Sequence, residues 1–276
     1  LIGGLCMTEP GVGTDVLAMQ TRAVREGDGY RLDGIKTFIT NGVLNDGSSG
    51  DAFIVYAATE PRVISTFLVE KGMPGFAVGQ KWSDKLGMRA SSTAELVFDG
   101  VFVPQENLMG EPGEGTGHMM RNLEIERLTL AAMSLGIADR CLDLMIRYGQ
   151  ERTAFGQPIN RFGQIQAYIG DSYAETEAAR CLVYQVAHKV GPDHRNRIGS
   201  DAAKLFAAPV GKRVADRAMQ VHGGLGYSRH RPFEHIYRHH RRYRITEGAE
   251  EIQMRRIAGY MFGFMKQQAP KGVAGD

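Results

Sequence analysis

Several short segments combine reactive side chains with glycines that let backbone approach a ligand. Met7-Thr8-Glu9-Pro10-Gly11-Val12-Gly13-Thr14-Asp15 is a polar turn whose threonine hydroxyls and free N–H groups offer directed hydrogen bonds. Read without a ligand, it is a tight loop capped by Asp15. In Lys36-Thr37-Phe38-Ile39-Thr40-Asn41-Gly42 the spacing puts Phe38 and Thr40 on one face of a strand. Such a pair could press a ring against a flat heteroaromatic group and bond its edge, or be a half-buried strand entering an Asn-Gly turn. Arg152 carries a planar fork suited to phosphate oxygens, and is otherwise a solvated helix-end charge. Gln220-Val221-His222-Gly223-Gly224-Leu225-Gly226 would let backbone approach a diphosphate, or is an ordinary glycine helix stop. Glu247, followed by the flexible Gly248, suits a general base at a helix start, whereas Glu126 projects from the middle of a long helical stretch. Burial raises the basicity of any such carboxylate.

Two kinds of element must position these residues. Up to about residue 110 the chain reads as short β-rich runs: Tyr30–Asp33, Ala52–Ala57, Ser65–Val69 and Ala94–Phe98. Turn signals such as Glu26-Gly27-Asp28-Gly29 and Met73-Pro74-Gly75 bound them. That spacing predicts an antiparallel barrel or sandwich over residues 1–112. Asn45–Gly50 is expected to be an exposed polar loop. After Glu111-Pro112-Gly113-Glu114-Gly115 the period changes, and Leu123, Leu128, Leu130, Met133, Leu135, Ile137, Leu142 and Met145 recur at helical spacing. Further helices are predicted near 164–190, 199–221 and 249–265, with Gly191-Pro192 as punctuation. Residues 113–276 therefore read as a helical bundle, and the whole as α+β.

At 276 residues, 43% apolar and 23% charged, the chain has the composition of a globular protein. A net charge of +2 gives no reason to expect nucleic acid or an anionic membrane as partner. No apolar run approaches the roughly 20 residues that span a bilayer. Cys6, Cys141 and Cys181 are too scattered for a disulfide framework or a Cys-rich metal site, which suits a reducing compartment. Neighbouring His239 and His240 lack a third ligand, so no metal is expected. The chain opens at Leu1 directly in a motif and reads as a piece of a longer protein, with targeting unreadable.

Taken together and in order, these motifs resemble the acyl-CoA dehydrogenase family along the whole chain. The resemblance implies FAD, an acyl-CoA substrate and electron-transferring flavoprotein as the electron acceptor. It implies that Thr8 bonds the flavin ring, that Thr14 lies beside both cofactor and thioester, and that Phe38 and Thr40 meet the ring near N5. Leu86-Gly87-Met88-Arg89-Ala90-Ser91-Ser92-Thr93 matches the border of the family's CoA channel, so Arg89 would meet a phosphate and Ser92 the pantetheine; without a ligand it is a surface turn. Glu151–Ile159 resembles the pyrophosphate contact, with Arg152 and Phe155 facing the cofactor. Gln220, Gly223 and Gly224 match the helix end that meets the FAD of a neighbouring subunit, which implies an oligomer, a dimer of dimers. Departures are Val12, Gly163 where Gln is usual (the contact passing to Gln164), His239 and His240, and Ala249 for Thr.

The family places its base either where Glu247 stands or, in the isovaleryl and long-chain branches, where Glu126 stands; this chain has both acids. Glu247 is the favoured base, and Glu126 is expected to turn aside onto Arg127, Arg244 or a similar cation. Arg127 and Gly248 join the substrate contacts. If both acids point inward, repulsion should keep one protonated. The implied reaction is α,β-desaturation, in the bacterial cytoplasm or the mitochondrial matrix. Related oxidases, monooxygenases and a nucleic-acid-binding relative like the bacterial alkylation-response protein are the competing readings. The run Arg238–Arg244 gives the last some footing, although a charge run is usually a solvated face.

Overall fold

The computed structural model describes residues 1–191 and 195–265; Pro192, read as punctuation, and the C-terminal residues 266–276 lie outside them. The chain divides into two units, Leu1–Arg121 and Asn122–Asp276.

The first unit is built on a seven-stranded curled sheet. Its strands are β1 (Gly3–Cys6), β2 (Arg22–Glu26), β3 (Gly29–Thr40), β4 (Ala52–Glu60), β5 (Val63–Glu70), β6 (Phe76–Lys81) and β7 (Thr93–Pro104), in the order β1-β4-β2-β3-β7-β6 with β5 on β4. Most pairings are antiparallel, but β4 runs parallel to β1 and, at Arg22–Ala58, to β2. Alternation along the strands sends Leu32, Phe53, Val55, Phe67, Val69, Leu96, Val101 and Val103 into one core. Tyr30 and Phe67 meet edge to face there, 5.1 Å between centroids. The β3–β7 ladder slips twice, between Leu32 and Gly34 and again between Lys36 and Ile39. Such bulges bend a strand and re-aim its side chains. The Asn45–Gly50 loop is exposed only at Asn45, Asp46 and Gly47; Ser49 and Gly50 are buried.

The second unit is helical. Helix α1 (Gly115–Glu151) enters it, followed by α2 (Gly163–Ala187), α3 (Arg197–His222), the single turn α4 (Gly224–Tyr227), α5 (Phe233–His240) and α6 (Glu250–Met261). Ala131, Leu135, Ala138, Met145, Val183, Ala203, Ala207, Val214 and Phe233 form its core, the alanines allowing close helix packing. Asn196 caps α3 by accepting from the Gly199 amide, 3.1 Å. Gly223, at φ +58°, ends that helix in a conformation that favours glycine. The α+β architecture expected from the periodicities is present, and no helix among the described residues is long and apolar enough to cross a membrane.

Candidate active site

In the β unit the Met7–Asp15 turn is anchored from below by one buried acid. The Glu9 carboxylate accepts from the Gln20 and Thr21 amides at 2.6 and 2.9 Å and from Lys36 Nζ at 2.9 Å. Burial opposes its charge, but Lys36 and these donors outweigh that and hold the carboxyl below its usual range. The Thr37 amide donates to the Thr8 carbonyl, 2.8 Å, tying the turn to β3. Thr8 is half-buried and Thr14 exposed, and a Cβ at Gly11 or Gly13 would meet only open space.

The second slip in β3 makes its neighbours unlike a regular strand. Lys36 and Thr37 are both buried, and Phe38, at φ +59°, is 57% exposed. Phe38 and Thr40 still share the open side. Trp82 supports Phe38 at 4.8 Å between centroids and donates from Nε1 to Thr37 Oγ1, 3.2 Å. An exposed aromatic backed by a second ring is a platform for a flat ligand. Beside it the Asn41 amide donates to the Ser92 carbonyl, 3.0 Å; Ser92 is half-buried and Arg89 exposed, its Nε donating to the Lys85 carbonyl at 3.1 Å.

In the helical unit a cavity of about 740 Å³ opens between the end of α1, the start of α2 and the end of α3. Arg152, Phe155, Gln164, Gly223 and Gly224 all line it. Phe155 stands 95% exposed at φ +51° in the tight hairpin that follows α1. A Cβ on Gly223 or Gly224 would meet nothing within 4 Å, so the backbone there is bare to a ligand. His222 forms a wall, packed 4.2 Å from Tyr148 and 4.4 Å from Phe233, with burial lowering its pKa. Gln220 is exposed on the last turn of α3 and does not line the cavity.

The two glutamates come together. The side chains of Glu126 and Glu247 are hydrogen-bonding neighbours, and burial, then the charge of Glu247, then that hydrogen bond push the Glu126 carboxyl up to about 8. Neither expected counter-cation takes Glu126. Arg127 is 4% exposed; its Nη1 meets Asp201 Oδ1 at 2.7 Å and its Nε donates to the Glu247 carbonyl at 2.7 Å. Arg244 holds both oxygens of Glu250 instead. The expected turning aside of Glu126 onto either of them therefore fails, because each is already engaged with another carboxylate. Arg127, expected at the substrate, is a buried strut.

Glu247 sits at φ +56°, a left-handed conformation that disfavours residues with a Cβ and is over-represented where function demands it. Donors grip three successive carbonyls to hold it there. Lys204 Nζ, on α3, donates to those of Thr246 and Gly248, and Arg127 takes the one between. Gln253 Nε2 adds a bond to the Gly248 carbonyl, 2.8 Å. Gly248 is required at φ +93°, where a Cβ would come within 2.9 Å of Arg127 Nη2. Ala249 provides no side-chain cap for α6, leaving Glu250 and Glu251 to face the helix dipole.

Comparison with known proteins decides the family. Residues 4–101 match the model of the acyl-CoA dehydrogenase middle domain, and residues 113–262 that of the acyl-CoA dehydrogenase C-terminal domain. The chain belongs to the acyl-CoA dehydrogenase family. It is 39% identical to a mitochondrial isovaleryl-CoA dehydrogenase of Oryza sativa over 265 residues, covering 95% of this chain and 63% of that protein, so it spans less than two thirds of that relative. The structure of butyryl-CoA dehydrogenase from Megasphaera elsdenii superposes with a TM-score of 0.88 at 38% identity, over 95% of this chain and 68% of that one. A structure described as electron transferring flavoprotein of Acidaminococcus fermentans, in a study of flavin-based electron bifurcation, gives 0.87 at 39%, over 94% and 68%.

The basic run Arg238–Arg244 is packed against its own unit. It is not a solvated face. His240 is fully buried with Nε2 bonded to the Ala208 carbonyl at 2.9 Å, and Arg238 and Arg244 are neutralised by Glu234 and Glu250. Arg242 lies over the Tyr243 ring at 4.6 Å. Motif reading also missed the Glu9–Lys36 pair, Trp82, and the set Asp201, Lys204 and Arg256, whose Nε reaches Asp201 Oδ2 at 2.8 Å. A signal existed for Lys204, a cation one helical turn after Asp201 in a stretch otherwise rich in alanine, with Ala203, Ala207 and Ala208.

Proposed function

We propose that this chain carries out FAD-dependent α,β-desaturation of an acyl-CoA thioester, with Glu247 as the base. The observation that carries the reading is the locked, left-handed Glu247 with its carboxyl against that of Glu126, in a partly buried pair where burial and mutual repulsion outweigh the pull of Arg127. An α-proton beside a thioester is weakly acidic, so its removal needs a carboxylate held in place and poorly solvated. Glu247 takes that proton, and Arg127 and Lys204 fix its backbone while it does so. Bound FAD supplies the acceptor for the β-hydrogen as hydride.

The residues present fit that cofactor. Phe38 on its Trp82 support, with Thr8 and Thr40, offers a flavin ring a flat face and hydroxyl donors. Arg152, Phe155, Gly223 and Gly224 line a cavity that suits a pyrophosphate and an attached ring, with Gln220 exposed nearby. Thr14, Arg89, Ser92 and Gly248 are the proposed contacts to the acyl-CoA. Relatives named for isovaleryl and butyryl thioesters favour a short acyl group. The likeness to a structure described as electron transferring flavoprotein favours that partner as electron acceptor, and the bare Gly223-Gly224 backbone favours an assembly, a dimer of dimers, that brings a ligand to it. Relatives from a mitochondrion and a bacterium leave the proposed setting as matrix or bacterial cytoplasm.

The test is anaerobic mixing of the flavin-loaded protein with butyryl-CoA and isovaleryl-CoA. Rapid loss of visible flavin absorbance is expected. Absorbance that is unchanged by any short acyl-CoA would defeat the proposal.

A further inference from the structure

Two carboxyl groups within hydrogen-bonding reach cannot both be ionised and still share a hydrogen bond, since a carboxylate has no proton to donate. Glu126 and Glu247 are such a pair. The surroundings decide how many protons the pair holds and where. From α1 the neighbouring cation is Arg127, engaged with Asp201 and the Glu247 carbonyl. From α3 come Asp201, which takes Arg127 on one oxygen and Arg256 on the other, and Lys204, whose ammonium faces backbone carbonyls. From the segment leading into α6 come Arg244 and Glu250, paired with each other. Arg127 and Lys204 also act on the pair through their charges, Arg127 drawing the Glu126 carboxyl down, but burial and Glu247 outweigh that pull.

The two acids are not equivalent. Glu126 Oε2 is buried and has no hydrogen-bond partner. An ionised carboxylate with one oxygen in that position pays desolvation without any return, whereas a neutral acid leaves only a weakly polar carbonyl there. A proton held by such a neutral acid is donated to Glu247, its hydrogen-bonding neighbour.

We propose that Glu126 is a neutral carboxylic acid that donates its hydrogen bond to the Glu247 carboxylate, so that the site holds one acid and one base instead of two competing bases. Glu126 is then a positioning residue acting through Glu247. It orients the carboxylate and caps one of its oxygens, leaving the other for the substrate. When Glu247 takes the α-proton, Glu126 keeps its own, and the pair passes from one negative charge to none. The catalytic meaning rests on the desaturation proposed above; the position of the proton does not.

The experiment therefore reads the proton directly. Infrared difference spectra of flavin-loaded protein with ¹³C-labelled glutamate, titrated without substrate, report the carbonyl stretch of any neutral carboxylic acid. In the unsubstituted protein one such band should persist at pH 7 and disappear as pH rises through about 8. Glu126→Gln should remove it. Glu247→Gln should keep it and move its loss to lower pH, because the neighbouring negative charge is gone. No neutral glutamate at pH 7, a band that survives Glu126→Gln, or a midpoint unmoved by Glu247→Gln would each overturn the assignment. Should Glu126→Gln fail to fold, the Glu247→Gln midpoint still decides. A correct titration with no flavin reduction by any acyl-CoA would sink the desaturation reading and leave the proton assignment standing.

Discussion

Each unit of this molecule buries acidic side chains, and the two treat them in opposite ways. In the β unit Glu9 receives an ammonium at 2.9 Å and two backbone amides, and it serves as a post under the Met7–Asp15 turn. In the helical unit Glu126 and Glu247 are set against each other, while Arg127, Arg244 and Arg256 go to Asp201 and Glu250. A carboxylate with a full set of donors is stable and unreactive; one denied them is basic. The same residue type is thus structural in one place and chemical in the other, and what differs is where the cations are spent.

The comparison breaks most decisively at Glu247. Glu247→Gln keeps the shape and removes the acceptor, so flavin reduction by acyl-CoA should fall by at least ~10²–10⁴-fold, the usual scale of general-base catalysis. Bound flavin should be unaffected. Rapid-mixing traces near the unsubstituted rate would show that Glu126 is the base and that the roles are reversed.

The post should fail in a different currency. Lys36→Met strands the Glu9 charge in a buried site, and breaking such a pair on one side costs about 3–5 kcal/mol. Denaturant unfolding should show that loss, and Glu9→Gln combined with Lys36→Met should recover part of it. A midpoint unchanged in Lys36→Met would mean that the two amides alone suffice for Glu9.

Those two outcomes also mark where motif reading succeeds. The strand runs from Tyr30 to Phe98 and the helical period from Leu123 to Met145 are local patterns, and the corresponding elements form. The residues named for cofactor and substrate come from short ordered motifs, and the structure gathers Arg152, Phe155, Gly223 and Gly224 on one cavity. Partner choice was not legible. Glu126 was expected on Arg127 or Arg244 because nothing in the local sequence shows that Asp201, on another helix, claims the first, or that Glu250 claims the second. The exposure of Phe38 depends on a slip against β7, which strand alternation alone does not reveal. Long-range competition for partners and register sits outside any single motif.

Lys204 sharpens the comparison from the side of geometry. It touches neither carboxyl among its hydrogen bonds, only the carbonyls flanking Glu247. Lys204→Met should cost about 1.5–3 kcal/mol, the scale of a bond to a charged group, and should slow flavin reduction while leaving flavin content intact. If the rate stays normal while stability falls, the grip on Thr246 and Gly248 serves the fold and not the base.

The smallest effect tests the acid pair through stability alone. The folded protein holds the Glu126 carboxyl proton up to about 8, far above an ordinary glutamate, chiefly through burial and next through the charge of Glu247. Between the ordinary glutamate range and pH 8 the folded state therefore binds more protons at this site than the unfolded chain does. Stability contributed by Glu126 is fully present below that window, declines as pH rises across it, and levels off above. Glu126→Gln cannot titrate and removes the slope. The stability of the Gln variant relative to the unsubstituted protein should therefore improve from pH 5 to pH 8, by something on the order of 1 kcal/mol once solvent screening of a partly exposed group is allowed for. Denaturant midpoints of the two proteins at both pH values measure it. Parallel pH dependence would mean that Glu126 is ionised in the folded state at neutral pH, and with that the contrast between the post and the pair would collapse.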